Sequence, residues 1–335
     1  MGVLIVWLKF FICSCVLIIA SYKLCKYGDY ISSRFNLSRL FIGAILLATA
    51  TSLPEFVTSL GAIVSVGSID LAVGDVLGTL VINLMIIVIL DIIQGEGPIM
   101  YKARSTHILY AGMTVILLAS IIFGFIARTQ LKEGFMFFNM GIESIFIVVI
   151  YLISLWLVFS YEKKGPQEQS VKSPSQKKGL VVSVVGFLFY FLVVVIAGVW
   201  LANIGNQIVE VMDWSGALVG SIFLAIATSF PEMIVSISAL RMGSINMAIG
   251  NILGSNLFDI MIIPLCDLFW VEKSLFASIA YIHLILISMA IIMTGIVIVS
   301  IIYRSRKAIL KMGWDVVAMI AVFIIGYMFL WIMGR

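Results

Sequence analysis

Two short stretches place a carboxylate next to a proline inside otherwise apolar sequence: ATATSLPEFVTS at 48–59 and AIATSFPEMIVS at 225–236. Proline has no N–H to offer the carbonyl four residues earlier and pushes it aside, so the carbonyls of Ala50 and Ala227 lose their helical partners. Non-helical backbone at membrane depth persists only where something else satisfies it. Thr51 and Glu55 stand four apart, as do Thr228 and Glu232, so a helix would present each pair on one face. Two further segments, GDVLGTLVINLMII at 74–87 and GNILGSNLFDIMII at 250–263, add Thr79 with Asn83 and Ser255 with Asp259 at the same spacing. Their glycines (Gly74 and Gly78, Gly250 and Gly254) repeat as GxxxG, which lets helices approach closely. Every candidate donor is an oxygen or an amide, a set that suits hard cations such as Ca²⁺ or Na⁺ and disfavours zinc or copper. Mg²⁺ dehydrates too reluctantly to be the better guest.

A single intramembrane hydroxyl more often bonds its own backbone, a lone GxxxG more often packs helices, and a lone proline more often kinks one. Carboxylates are different, because an Asp at mid-bilayer costs roughly 2.5–3.5 kcal/mol even on the lenient insertion scale. Glu55, Glu232 and Asp259, at related positions beside freed carbonyls, are therefore expected to bind cations. Asp91 and Asp267 fall near predicted helix ends and are expected to be solvated or to cap; Asp75 lies close to a loop and is left outside the site.

The elements that must hold these residues follow from composition. Of 335 residues 62% are hydrophobic and 11% charged, and the mean hydropathy is +1.19. Soluble domains carry about 25% charged residues. The chain is thus read as an all-α polytopic membrane protein, and the net charge of +4 is no nucleic-acid signal. Spans need about 20 apolar residues. Ten are predicted, near 3–21, 38–65, 70–93, 107–127, 140–160, 180–202, 215–240, 245–269, 275–302 and 314–333. The first lacks a basic stretch before its apolar run and reads as a helix with Lys9 snorkelling, rather than a signal peptide. Cys13, Cys15, Cys25 and Cys266 lack metal or disulfide spacing, and His107 and His283 are too few for a zinc site.

Residues 43–62 and 220–239 match at eleven of twenty positions, and the offset of 177 residues becomes 176 for the second pair of segments. Five helices per half reverse the second half's entry into the membrane, so the expectation is two inverted five-helix repeats, 1–160 and 180–335, with the site at the midplane where they meet. Residues 161–179, rich in Lys, Gln, Ser and Pro, read as a flexible linker. With alternating loops, sixteen Lys/Arg fall on the linker's side and four on the other, which puts the linker in the cytoplasm and both termini outside a cell (plasma) membrane.

TSLPE at 51–55, TSFPE at 228–232 and GNILGSNLFD at 250–259 resemble the paired alpha repeats of sodium/calcium exchangers, in the cation/Ca²⁺ antiporter superfamily. The resemblance is specific over four helices. The GNxxE-type motif of the proton-coupled branch is not seen, which favours Na⁺ as the driving ion. The resemblance implies that Glu55 and Glu232 ligate Ca²⁺ with the Thr51 and Thr228 carbonyls. It implies one flanking Na⁺ site at Ser52, Glu232, Ser255 and the Ala225 carbonyl, and another at Ser229, Glu55, Thr79 and the Ala48 carbonyl, with Asn83 and Asp259 in the middle. Asp75 and Leu80 depart from the Asn usual at those positions and are expected to face away from the ion. Thr79 stands where Ser is usual but keeps the hydroxyl.

The expectation is thus a Na⁺/Ca²⁺ antiporter working by alternating access, not an enzyme, with Ca²⁺, Na⁺ and the lipid bilayer as partners, no nucleic acid, no cofactor, and a monomeric state. Proton-coupled or K⁺-dependent exchange is the alternative, since Asp at 259 also occurs in K⁺-dependent exchangers. A channel would more naturally use an oligomeric ring. An intramembrane enzyme lacks HExxH, GxSxG or paired catalytic Asp residues here.

Overall fold

The computed structural model describes residues 2–34, 51–95, 97–130, 136–137, 139–162, 180–271, 274–304, 308–309 and 312–334. The order is α1 (Gly2–Arg34), α2 (Leu53–Gly61), α3 (Ile69–Gln94), α4 (Thr106–Gln130), α5 (Ile142–Glu162), α6 (Leu180–Met212), α7 (Gly216–Val219), α8 (Ala225–Thr228), α9 (Phe230–Arg241), α10 (Ile245–Asp259), α11 (Ile262–Phe269), α12 (His283–Tyr303) and α13 (Trp314–Met333). Among the described residues eight helices are long and apolar enough to span a membrane. A ninth candidate is the pair Gly216–Thr228 and Phe230–Arg241, bent by 42°. The predicted span 38–65 is described only from residue 51 onward, as α2 and a π-helical turn, Ala62–Val66. The predicted 161–179 linker also lies almost wholly outside the described residues.

Burial separates a centre from a periphery. In the apolar 18-residue stretch of Ile69–Gln94, 72% of the residues are buried, whereas in that of Leu180–Met212 17% are. An apolar helix that hides so little of itself from its own protein is built to face lipid. α6 packs lengthwise on α1. Lys9 Nζ donates to Gln207 Oε1 (3.2 Å), Cys13 Sγ donates to the Ala197 carbonyl (3.2 Å), and Tyr27 stacks on Tyr190 with centroids 5.8 Å apart. Lys9 thus braces one peripheral helix against the other instead of only reaching for the surface. α3 runs through the middle and touches α2, the α7–α8 region, α10, α12 and α13. Its Gly78 is pressed so closely on the second half that a Cβ there would lie 2.4 Å from the Ser221 Cα.

Two small hairpins, β1–β2 (Met136–Phe137 with Met140–Gly141) and β3–β4 (Ala308–Ile309 with Met312–Gly313), sit just before α5 and α13. They explain Asp91 and Asp267. Asp91 accepts the backbone N–H of Ile99 in its own half and of Gly313 in the other. Asp267 accepts those of Leu275 and Gly141, and the Ser144 hydroxyl. Each half thereby caps a hairpin of its counterpart. These carboxylates cap, as one of the two expected roles had it, but both are buried and neither is solvated.

Candidate functional site

The α7–α9 region is broken where the sequence places its proline. Gly220–Leu224 forms a π-helical turn, α8 follows, and Ser229 separates α8 from α9, where Pro231 occupies the first turn. Single π-turns inside helices are frequent at functional sites. Pro54 occupies the first turn of α2 in the same way, after Ser52. Glu55 and Glu232 therefore leave the first turns of two short helices, with Thr51, Ser52, Thr228 and Ser229 at the breaks.

All of the described candidate side chains are buried: Thr51, Ser52, Glu55, Thr79, Asn83, Thr228, Glu232, Ser255 and Asp259 at 0% exposure and Ser229 at 1%. Residues far apart in sequence meet across the two halves. Thr51 Oγ1 and Ser255 Oγ are 3.4 Å apart, and Thr79 Oγ1 and Thr228 Oγ1 are 3.5 Å apart. Ser52 Oγ donates to Glu232 Oε1 at 3.3 Å, and Asn83 Nδ2 donates to Asp259 Oδ2 at 3.4 Å. Hydroxyl hydrogen bonds usually close to about 2.7–2.8 Å. Two oxygens bound side by side to one cation at about 2.4 Å stand roughly 3.4 Å apart. The three oxygen–oxygen distances lie close to that spacing.

Several oxygens here have no donor among the described residues: both of Glu55, Oε2 of Glu232, Oδ1 of Asp259, Oδ1 of Asn83 and the Ser229 hydroxyl. Buried polar groups are nearly always satisfied, and a buried charge needs a countercharge. Among the described residues no three His, Cys, Asp or Glu side chains are grouped closely enough to hold one metal ion between them. Neutral oxygens must therefore complete the shell of any one ion.

Not every predicted member is joined to its predicted neighbours. Ser229 makes no bond to Glu55 or Thr79, and Ala48 lies outside the described residues. The Ala225 carbonyl accepts the Ser229 N–H (3.0 Å) along the helix, and Thr228 Oγ1 lies 3.3 Å from it. Two residues were missed. Asn256 accepts from Asn83 Nδ2 at 3.0 Å and donates to the Leu80 carbonyl at 3.1 Å, fixing the amide that faces Asp259. Asp75, expected to face away, is fully buried and accepts from Ser59 Oγ (2.9 Å) and Thr228 Oγ1 (3.4 Å). The clue in the sequence was its alignment with Asn251, whose Nδ2 donates to Ser236, the repeat counterpart of Ser59, at 3.0 Å.

A family profile described as sodium/calcium exchanger protein matches residues 5–160 and 182–333. The inner membrane protein YrbG of Escherichia coli (strain K12) is 28% identical over 234 residues, covering 68% of this chain and 69% of that protein. Among solved structures, the H⁺/Ca²⁺ exchanger CAX superposes with a TM-score of 0.70 at 13% identity, over 96% of this chain and 82% of its own. The sodium-calcium exchanger NCX_Mj superposes with a TM-score of 0.59 at 22% identity, over 98% of this chain and 99% of its own.

Proposed function

The chain belongs to the sodium/calcium exchanger protein family and is an integral-membrane cation/Ca²⁺ antiporter; from that premise we propose that Na⁺ drives Ca²⁺ out of the cytoplasm through one midplane pocket. In this reading ten spans form two inverted five-helix repeats, 1–160 and 180–335. The 161–179 linker is cytoplasmic, both termini lie outside the cell membrane, and one chain suffices. Glu55 and Glu232 neutralise Ca²⁺, aided by the Thr51 and Thr228 carbonyls. Na⁺ takes the flanks, Ser52–Glu232–Ser255–Ala225 and Ser229–Glu55–Thr79–Ala48, while Asn83 and Asp259 line the middle.

The observation that carries this reading is the set of sealed carboxylate oxygens without donors, above all both oxygens of Glu55. It also supplies a reason for strict coupling. Closing the pocket empty would strand negative charges in a dry site, which costs several kcal/mol per ion. Closing it around Ca²⁺ or around Na⁺ would not. The same carboxylates cannot serve both loads at once, so the two ions compete and exchange. The pair α1 and α6, braced to each other, is the moving part that the family resemblance implies.

The test is radiolabelled Ca²⁺ uptake into proteoliposomes under separately imposed Na⁺, H⁺ and K⁺ gradients. An outward Na⁺ gradient alone should drive accumulation. Accumulation driven only by H⁺, or only with K⁺ present, would replace Na⁺ as the coupling ion, and uptake without any counter-gradient would mark a channel.

A further inference from the structure

The π-helical turn Gly220–Leu224 stands between α7 and the pocket, and its register decides where Thr228 of α8 points. At its end the Ala225 N–H reaches the Gly220 carbonyl, five residues back and one more than in an α-helix. A turn that shed its extra residue would rotate α8 by roughly 100° about its axis, because each residue of an α-helix contributes that much. Thr228 Oγ1, now 3.5 Å from Thr79 Oγ1, would be turned away from it. Something outside the turn must therefore hold it in the π register.

The turn is gripped from two sides. On one, α3 lies so close at Gly78 that a side chain there would meet the Ser221 backbone. On the other, Tyr327 of α13 donates its hydroxyl to the Ser221 carbonyl at 2.8 Å. Tyr327 is itself steadied by Phe323, with ring centroids 4.6 Å apart. Trp331 follows four residues later, on the same face of α13. It meets Trp214 edge-on at 5.4 Å, and Trp214 stacks on Phe223 of the π-turn at 5.7 Å with 11° between the planes. The Ser215 N–H, donated to the Gly334 carbonyl at 3.0 Å, ties the end of α13 to the start of α7.

A buried tyrosine hydroxyl that finds a carbonyl usually does no more than satisfy itself. Here the carbonyl belongs to the turn that aims a pocket residue. We propose that Tyr327, backed by Trp331, is a positioning residue for the transport site. It keeps Gly220–Leu224 in the π register and so aims the Thr228 hydroxyl, and with it the Glu232 carboxylate beyond, at the ion. The inference rests on the pocket assigned above and adds to it a residue outside the ion shells that sets their affinity.

The experiment is equilibrium ⁴⁵Ca²⁺ binding to the purified full chain in detergent, with thermal unfolding of the same samples. Tyr327→Phe should weaken Ca²⁺ binding about fivefold, the worth of one hydrogen bond, with the amount bound per chain at saturation unchanged. Ser300→Ala is the control, since it removes a hydroxyl bond of similar length (Ser300 Oγ to Asp315 Oδ2, 2.7 Å) that anchors α13 to α12 away from the turn. Both variants should unfold at a lower temperature, and only Tyr327→Phe should lose affinity. Trp331→Leu loosens the same grip from a residue 36% exposed and covers the case in which Tyr327→Phe does not fold. It should weaken binding about twofold, as loss of one aromatic pair does. Wild-type affinity in Tyr327→Phe, or in Trp331→Leu where that variant stands in, would overturn the proposal, as would an equal loss in Ser300→Ala. A wild-type chain that binds no Ca²⁺ would fail at the pocket assignment itself, a result distinct from these.

Discussion

Thr51 with Ser255 and Thr228 with Thr79 occupy matching positions in the two repeats, and their oxygens are 3.4 and 3.5 Å apart. The residue lying behind each pair differs: Asn251 holds Ser236 with its amide, whereas Asp75 receives Ser59 and Thr228 on a carboxylate. Likewise Asn83 in one half faces Asp259 in the other. A duplicated backbone supplies two similar frames, and a few unmatched charges decide what each frame holds. Where charges match, as in Glu55 with Glu232, the halves should respond alike to substitution. Where they do not, the responses should diverge.

The largest effect is expected at the matched glutamates. Glu55→Gln and Glu232→Gln keep shape and remove charge, so each should reduce Ca²⁺ transport in proteoliposomes to background while the protein remains monodisperse. Sustained Na⁺-driven uptake by either would break the symmetry assigned to them.

Gly78→Ala should follow, because the added methyl meets the Ser221 backbone and not a flexible side chain. Overpacking of this kind costs about 1–3 kcal/mol, to be read as a lowered unfolding temperature in detergent. An unchanged melting curve would mean that the contact between α3 and the π-helical turn is looser than described.

The crossed caps come next. Asp267 receives three donors and Asp91 two. Removing either orphans buried N–H groups at a cost of about 1–3 kcal/mol. Asp267→Ala should therefore destabilise more than Asp91→Ala, and a reversed order in thermal unfolding would show that the donor count does not govern.

Asp259→Asn should have a smaller effect, since Asn83 already serves the matching position as an amide and Glu55 and Glu232 suffice to balance Ca²⁺. Exchange should persist, and measuring it with and without K⁺ tests whether the charge carries a K⁺ requirement; loss of transport under every condition would show that the charge itself is needed. The smallest effect is expected from deleting Gln167–Ser175, which should leave the apparent Ca²⁺ affinity within about twofold if the segment only tethers the halves.

Much of this was legible before any coordinates. A mean hydropathy of +1.19 left no class but a polytopic membrane protein. The constant offset between TSLPE and TSFPE paired Glu55 with Glu232, because duplicated segments of equal length must occupy equivalent positions. Proline chemistry located the breaks near Ser52 and Ser229 from local sterics alone. What stayed hidden depended on contacts between the two halves, such as Gly78 with Ser221 and Asp75 with Thr228. Asp75 read as a loop-side residue because its distance along the chain from the helix start is short. Its burial arises only when Gly74 and Gly78 let the second half press against α3, and no pattern within α3 announces that partner. Residue types and spacing determined which groups could bind a cation. Burial and acceptor counts, which are properties of the packed chain, decided which of those groups remain in need of one.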